Sequence, residues 1–293
     1  MVDTLKSVLI EAARSFYANG ALQFAAAIAY YSLLSMAPLL LIVVAIAGVA
    51  FADGAVHAQL IDQIRSLIGA EGAALAETVI ENTQSESQSR VSLLIGTVLT
   101  VFGATTVFAQ IQAALNSIWH VVADPSKALW HFVKHRLLSF ALVVTLGFLL
   151  MVSLVVSAAL AALYEYVSAS AVIAVFVWEA LNVGISFGLA TFLIALMFKY
   201  LPDAQVEWRD TWLGAFLTAL LFVTGKAAIG LYLGQASVAS SFGAAGSVVI
   251  FMIWVYYASL IMLFGAELTH AVAERRGART APTDHARIDP VRD

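Results

Sequence analysis

The 293-residue chain contains no cysteine, which excludes disulfides, thiolate catalysis and cysteine-ligated zinc. Charge is scarce as well. Only 12% of the residues are Asp, Glu, Lys or Arg, against about 25% in a soluble domain. So few charges cannot coat a water-soluble surface around a chain that is 61% hydrophobic. Intrinsic disorder is excluded by the same figures, because it needs a polar chain poor in large hydrophobes. The formal net charge of −4 offers no excess of cations to a polyanion, so no nucleic-acid partner is expected. Walker, HExxH and Ser-His-Asp patterns are missing too, which argues against ATP-driven pumping by this chain and against hydrolysis.

What remains is a polytopic membrane protein. Crossing the hydrocarbon core takes about 20 largely apolar residues. Six runs qualify, near 21–51, 91–119, 137–163, 172–198, 212–233 and 245–270. The expected fold is an all-α bundle of six transmembrane helices spanning 21–270, with interfacial amphipathic helices. Pro38 marks a natural kink in the first run. Residues 1–20 carry Leu5, Val8, Leu9, Ala12 and Phe16 at helical spacing beside Lys6 and Arg14. That pattern fits an amphipathic helix lying in the membrane interface, or equally a cap packed on the bundle. Segment 52–90 has two apolar stripes broken at Gly69–Gly72 and reads as short amphipathic helices on the outer face. The tail, 271–293, holds Pro282, Asp284, His285 and Pro290 and is expected to be disordered.

Charge sets the orientation. Twelve of the 15 Lys and Arg residues fall in segments on one side, two (Arg65 and Arg90) on the other, and Lys226 within a span. The positive-inside rule then places both termini in the cytoplasm. Three spans per half leave an inverted repeat open, although the halves show no convincing similarity.

Four stretches occur together: Phe24-Ala-Ala-Ala-Ile-Ala-Tyr-Tyr-Ser-Leu-Leu-Ser-Met-Ala-Pro38, Gln112-Ala-Ala-Leu-Asn-Ser-Ile-Trp119, Tyr200-Leu-Pro202, and Phe242-Gly-Ala-Ala-Gly through Trp254-Val-Tyr-Tyr to Gly265-Ala-Glu-Leu268. In order and spacing they resemble the YihY/BrkB family of bacterial inner-membrane proteins, over about residues 15 to 275. The resemblance implies a six-helix protein of the bacterial inner membrane. Some members have been called virulence factors, others linked to lipid or small-molecule transport, and the old label ribonuclease BN is regarded as a misassignment. Where the family often has Tyr before its Gly-Ala segment, this chain has Phe242, so a role for that hydroxyl does not carry over.

Ionisable residues inside a span cost roughly 2.5–3.5 kcal/mol each on insertion scales and need a reason to be there. Glu179 and Lys226 each lie eight residues from the outer end of a span, so both sit about 12 Å below the outer surface. Asn182 and Ser186 follow Glu179 at i+3 and i+7, extending a polar stripe. Three readings stay open: an ion pair lining an outward cavity, a buried pair fixing helix register, or Lys226 snorkelling outwards to lipid phosphate. A second polar layer towards the cytoplasm comprises Gln23, Gln112, Asn116 and Glu267, as interhelical glue or as a gate. Tyr30 and Tyr31 fall between the layers. Trp130, Lys134 and Arg136 form a cationic and aromatic belt suited to lipid headgroups. His131 and His135 have i, i+4 spacing but no carboxylate to complete a metal site. No metal or cofactor is expected.

Gly96, Gly103, Gly214, Gly225, Gly243 and Gly246 suit close helix packing, and a homodimer through glycine-rich faces is open. The leading functional expectation is transport of a lipid or small amphipathic molecule through a polar cavity. The alternative is a non-transporting scaffold of the envelope. Catalysis, including RNA hydrolysis, is not expected, because the acidic outer segment would repel RNA.

Overall fold

The structure, a computed structural model, describes residues 2–50, 61, 65, 77, 106–124, 172–235, 246–277, 281–284 and 286–290. Within these, side chains are described everywhere except at 2–5, 36–50, 172–183, 185–186, 226–235 and 247. The elements are α1 (Val2–Ala18), α2 (Ala21–Ala50), the 106–118 portion of α3, β1 (Val121–Ala123), α4 (Val172–Tyr200), α5 (Trp208–Gln235), α6 (Gly246–Arg275) and β2 (Ala286–Ile288). Apolar runs thus appear as helices of 30, 29, 28 and 30 residues at α2, α4, α5 and α6. The expected span 137–163 lies outside the described residues, as does most of 52–90, where Ile61, Arg65 and Glu77 are helical. Among the described residues, Val248–Arg275 is long and apolar enough to cross a membrane, and Ala21–Ser35 and Phe187–Tyr200 are shorter apolar helical stretches. α2 runs through Pro38 as one helix.

Two compact units divide the chain. The first contains Met1–Ser15, Leu115–Val223 and Phe264–Asp293; the second contains Phe16–Ala114 and Thr224–Leu263.

In the first unit α1 packs on the C-terminal end of α6. Val8 and Ala12 are one turn apart, so they share a face, and they bury themselves against Leu268 and Ala271, flanked by Phe264 and Val272. This face of α1 is thus a packing face against α6. Leu9, Ile10 and Tyr17, off that face, stay exposed.

Also in this unit, α5 and α6 meet through a reciprocal pair of Gly-xxx-Thr steps. A Cβ added to Gly214 would lie 1.6 Å from Thr269 Oγ1, and one added to Gly265 would lie 1.7 Å from Thr218 Oγ1. Pairing 214 with 269 and 218 with 265 means the helices run antiparallel with backbones in close approach. Each threonine hydroxyl donates to the carbonyl one turn earlier, Thr218 to Gly214 and Thr269 to Gly265, both at 2.7 Å. The hydroxyls therefore need no partner from the opposite helix. In lipid, where apolar burial gives helices little reason to associate, such backbone proximity supplies the dispersion contacts that hold them. The expected packing role of Gly214 is seen here, and Gly265 shares it.

The tail departs from the expected disorder. α6 continues to Arg275, Gly277 at φ 78° ends it, and β2 then pairs antiparallel with β1, with Val121 opposite Ile288 and Ala123 opposite Ala286. Thr283 N–H donates to the Asp203 carbonyl and Gln205 N–H to the Ala281 carbonyl, both at 2.8 Å. The physical reason is backbone satisfaction. Residues 121–123 and 203–205 are non-helical stretches whose N–H and C=O groups need partners, and the tail, despite its polar composition, provides them.

The second unit contains the α1–α2 junction and a further part of α5 and α6. Gly20 takes φ 71°, a conformation costly for other residues, and its carbonyl accepts from Gln23 and Phe24 N–H at the start of α2. Gly225 is a second close approach, since an added Cβ would fall 2.3 Å from the Tyr257 hydroxyl oxygen.

Candidate functional site: a polar junction at the helix ends

In the first unit, the ends of α3, α4 and α6 and the start of α5 carry a set of buried polar groups. Asn116 on α3 donates from Nδ2 to Asp203 Oδ2 at 2.8 Å and accepts the Asp203 backbone N–H at Oδ1, also at 2.8 Å. One amide side chain thus fixes both the carboxylate and the main chain of a residue 87 positions away. Asp203 follows Tyr200-Leu-Pro202 and is only 4% exposed. Leu201, Ala204 and Val206 around it are also buried, so this short turn is anchored by apolar side chains as well as by the amide.

Asp210, in the first turn of α5, is 3% exposed and accepts from Arg276 Nη1 at 2.5 Å. Lys199 donates to the Val206 carbonyl, and its Nζ stands 5.8 Å from the centre of the Trp208 ring. At the end of α6, His270 meets Trp119 edge-on with ring centres 4.9 Å apart, and His120 at 5.4 Å. His120 holds φ 52°, and its carbonyl accepts the tail's Asp289 N–H at 2.9 Å. Arg275 reaches α1, binding Glu11 Oε2 at 2.7 Å through Nη2 and Ser7 Oγ at 2.6 Å through Nη1.

The residues singled out from the sequence distribute as follows. Asn116 and Glu267 belong to the first unit; Glu267 is 1% exposed on α6. Gln23 and Gln112 belong to the second, the first exposed and the second buried. Tyr30 is 51% exposed and packs edge-on with the half-buried Tyr31 at 5.5 Å. Glu179, Asn182 and Ser186 lie on the backbone of α4 and Lys226 on that of α5, with side chains outside those described. Trp130, His131, Lys134, His135 and Arg136 lie outside the described residues. Among the described residues, no three His, Asp or Glu side chains are placed to hold a metal ion.

Sequence reasoning missed Asp203 and Asp210. Nothing in the periodicity links Asn116 to Asp203, and an Asp just after a span reads as an exposed loop residue. A usable signal was the sequence Tyr200-Leu-Pro-Asp203 itself, where Pro202 rigidifies the turn that turns the carboxylate inward. Chemically, Asp203 and Asp210 are held as hydrogen-bonded anchors rather than presented to a substrate.

Three of the four stretches that carry the family resemblance contribute to this junction, through Asn116 and Trp119, Leu201 and Pro202, and Gly265 to Leu268. The profile of the family described as Virulence factor BrkB matches residues 12–289. The chain is 29% identical over 282 residues to a UPF0761 membrane protein of Rhodospirillum centenum, covering 93% of this chain and 59% of the relative. Its likeness to the UPF0761 membrane protein of Chromohalobacter salexigens is 30% over 277 residues, 92% of this chain and 64% of that one. The Alcanivorax borkumensis homologue is 27% identical over 292 residues, 98% and 65% respectively. The chain therefore spans about three fifths of the length of the first relatives it matches. No solved structure matches it. With a profile match across nearly its whole length, the chain is a membrane protein of the BrkB family.

Proposed function

We propose that this protein crosses the bacterial inner membrane six times, with both termini cytoplasmic, and moves a lipid or small amphipathic molecule through a polar path in its helix bundle. The observation that carries this reading is the placement of Glu179 and Lys226 within uninterrupted helices. Glu179 lies seven residues into α4, and Lys226 nine residues before the end of α5. Neither stands at a helix end where water would solvate it, and a charge kept at such depth by default marks a substrate or ion path. The cytoplasmic placement is supported by twelve of 15 cations on one side and by the N-terminal helix packing on the end of α6. That packing keeps both chain ends at one end of α6, as an even number of crossings requires. No catalysis is included, and membrane lipids are the expected partners.

A scaffold reading has one observation in its favour: the junction's polar groups bond one another in pairs, Asn116 with Asp203 and Arg276 with Asp210. Mass spectrometry of molecules co-purifying with wild type and with Lys226→Met separates the two. Transport predicts a ligand enriched over bulk membrane lipid and lost in the variant. Bulk-like lipid in both, with the variant folded, would count for the scaffold.

A further inference from the structure

Within the first unit, the end of α4 and the start of α5 turn a row of large rings outward. Tyr200 is 48% exposed, Trp208 39%, Trp212 44% and Phe192 36%. Successive rings lie 5.9, 6.4 and 6.2 Å apart from Tyr200 through Trp208 and Trp212 to Phe192, so they form one continuous track. Lys199 is held over the Trp208 ring, with its ammonium steadied by the Val206 carbonyl. Arg209, the residue after Trp208 in the first turn of α5, is exposed. Glu207 is the exposed acid of this turn, while Asp210 is buried against Arg276. Two cations therefore stand against one exposed acid.

Further along α5 the surface changes character. Phe216, Leu220 and Val223 are 48, 48 and 49% exposed, and all three are apolar. The face thus grades from cationic, through amphipathic aromatic, to purely apolar over about four helical turns, roughly 22 Å. A phospholipid has the same order of chemistry along its length: charged headgroup, ester region, acyl chains. Trp and Tyr favour the middle of these levels, where a ring meets hydrocarbon and a polar tip meets water.

We propose that this face is a binding site for an anionic phospholipid, with the headgroup phosphate at Lys199 and Arg209 and an acyl chain along Trp212 and Phe192. The site lies on the outside of the helix pair, rests on the membrane location alone, and does not depend on the transport reading. A second copy of the chain is the competing occupant. A two-fold interface through this face would gather the Lys199 and Arg209 of both copies, four cations against two Glu207 carboxylates, and that excess of like charge repels. An anionic lipid satisfies them instead.

The test uses the full chain in vesicles containing dibrominated phosphatidylglycerol or dibrominated phosphatidylcholine, with tryptophan fluorescence quenching as readout. Phosphatidylglycerol is expected to quench at about 25-fold lower mole fraction, from a roughly five-fold gain at each of two cations. Lys199→Gln/Arg209→Gln is expected to abolish that preference while quenching by phosphatidylcholine persists. In Trp208→Phe/Trp212→Phe the phosphatidylglycerol-specific quenching disappears. Equal quenching of wild type by both lipids would overturn the proposal. So would a preference that survives loss of both tryptophans, or rings that neither lipid reaches because a second copy covers them. Equal quenching of wild type overturns the proposal even if a variant fails to fold, and the tryptophan variant separates this face from the belt at Trp130.

Discussion

Arg275 and Arg276 are neighbours at the end of α6, and their ion pairs differ in worth. The Arg275–Glu11 pair has side chains 33 and 39% exposed, so water and salt screen it and its net value is below about 1 kcal/mol. Arg276 is 40% exposed but its partner Asp210 only 4%, so removing the guanidinium leaves a carboxylate that water cannot reach easily. Arg275→Gln is therefore expected to shift stability by under about 1 kcal/mol, and Arg276→Gln by about 2 kcal/mol. Unfolding in a denaturing detergent series measures both; equal losses would contradict the assignment. Asn116→Ala removes two hydrogen bonds to Asp203 and is expected to cost about 1.5–3 kcal/mol. Asn116→Asp costs more, because it sets a second carboxylate against the first. A stability indifferent to residue 116 would show that Asp203 is held by other groups.

Elements are held by different devices, and glycines separate them. Gly214→Ala is expected to destabilise by about 3 kcal/mol or more, since its Cβ has nowhere to go without parting α5 from α6. Pairing it with Thr269→Gly restores part of that loss. By contrast, a Cβ at Gly184 or Gly188 on α4 meets nothing within 4 Å, so alanine there is expected to stabilise by up to about 1 kcal/mol. Thermal unfolding in detergent distinguishes these, and similar effects at Gly214 and Gly188 would contradict the packing account. The strand pair makes its own prediction. Truncation after Gly277 removes β2 and the donors to Asp203 and His120, so amide exchange is expected to rise at 120–123 and 203–205. Unchanged protection there would mean that the tail holds nothing.

Much of this element level was legible in the sequence. Runs expected at 21–51, 172–198, 212–233 and 245–270 are helices Ala21–Ala50, Val172–Tyr200, Trp208–Gln235 and Gly246–Arg275. Hydropathy sees the apolar stretch, whereas a helix continues through polar turns such as Trp208–Thr211 until a cap or a glycine stops it. The tail strand was not legible. A three-residue strand has no periodicity, and its partner lies 165 residues earlier. Of the expected polar layer, Gln112 and Glu267 are buried on helices and Asn116 is half-buried, but Asn116's partner was not legible, for the same reason of sequence distance.

For the whole molecule, the tie between α1 and the end of α6 is the most informative feature. Val8 and Ala12 against Leu268 and Ala271 join the first helix to the last, and β2 ties the tail to the end of α3. Both ends of the chain thus gather on one set of helix ends within the first unit. That gathering supports the proposed even number of crossings with both termini on one side, which the positive-inside rule expects to be the cytoplasm.

The absence of native cysteine makes the decisive measurement clean. Single substitutions Lys6→Cys, Glu77→Cys and Ile288→Cys are exposed positions on α1, within 52–90 and on β2, and each is challenged with a membrane-impermeant maleimide. With both termini cytoplasmic, Lys6→Cys and Ile288→Cys are expected to label only in inside-out vesicles and Glu77→Cys only in right-side-out vesicles. Labelling of Lys6→Cys and Ile288→Cys from opposite sides, or of both from outside, would contradict it.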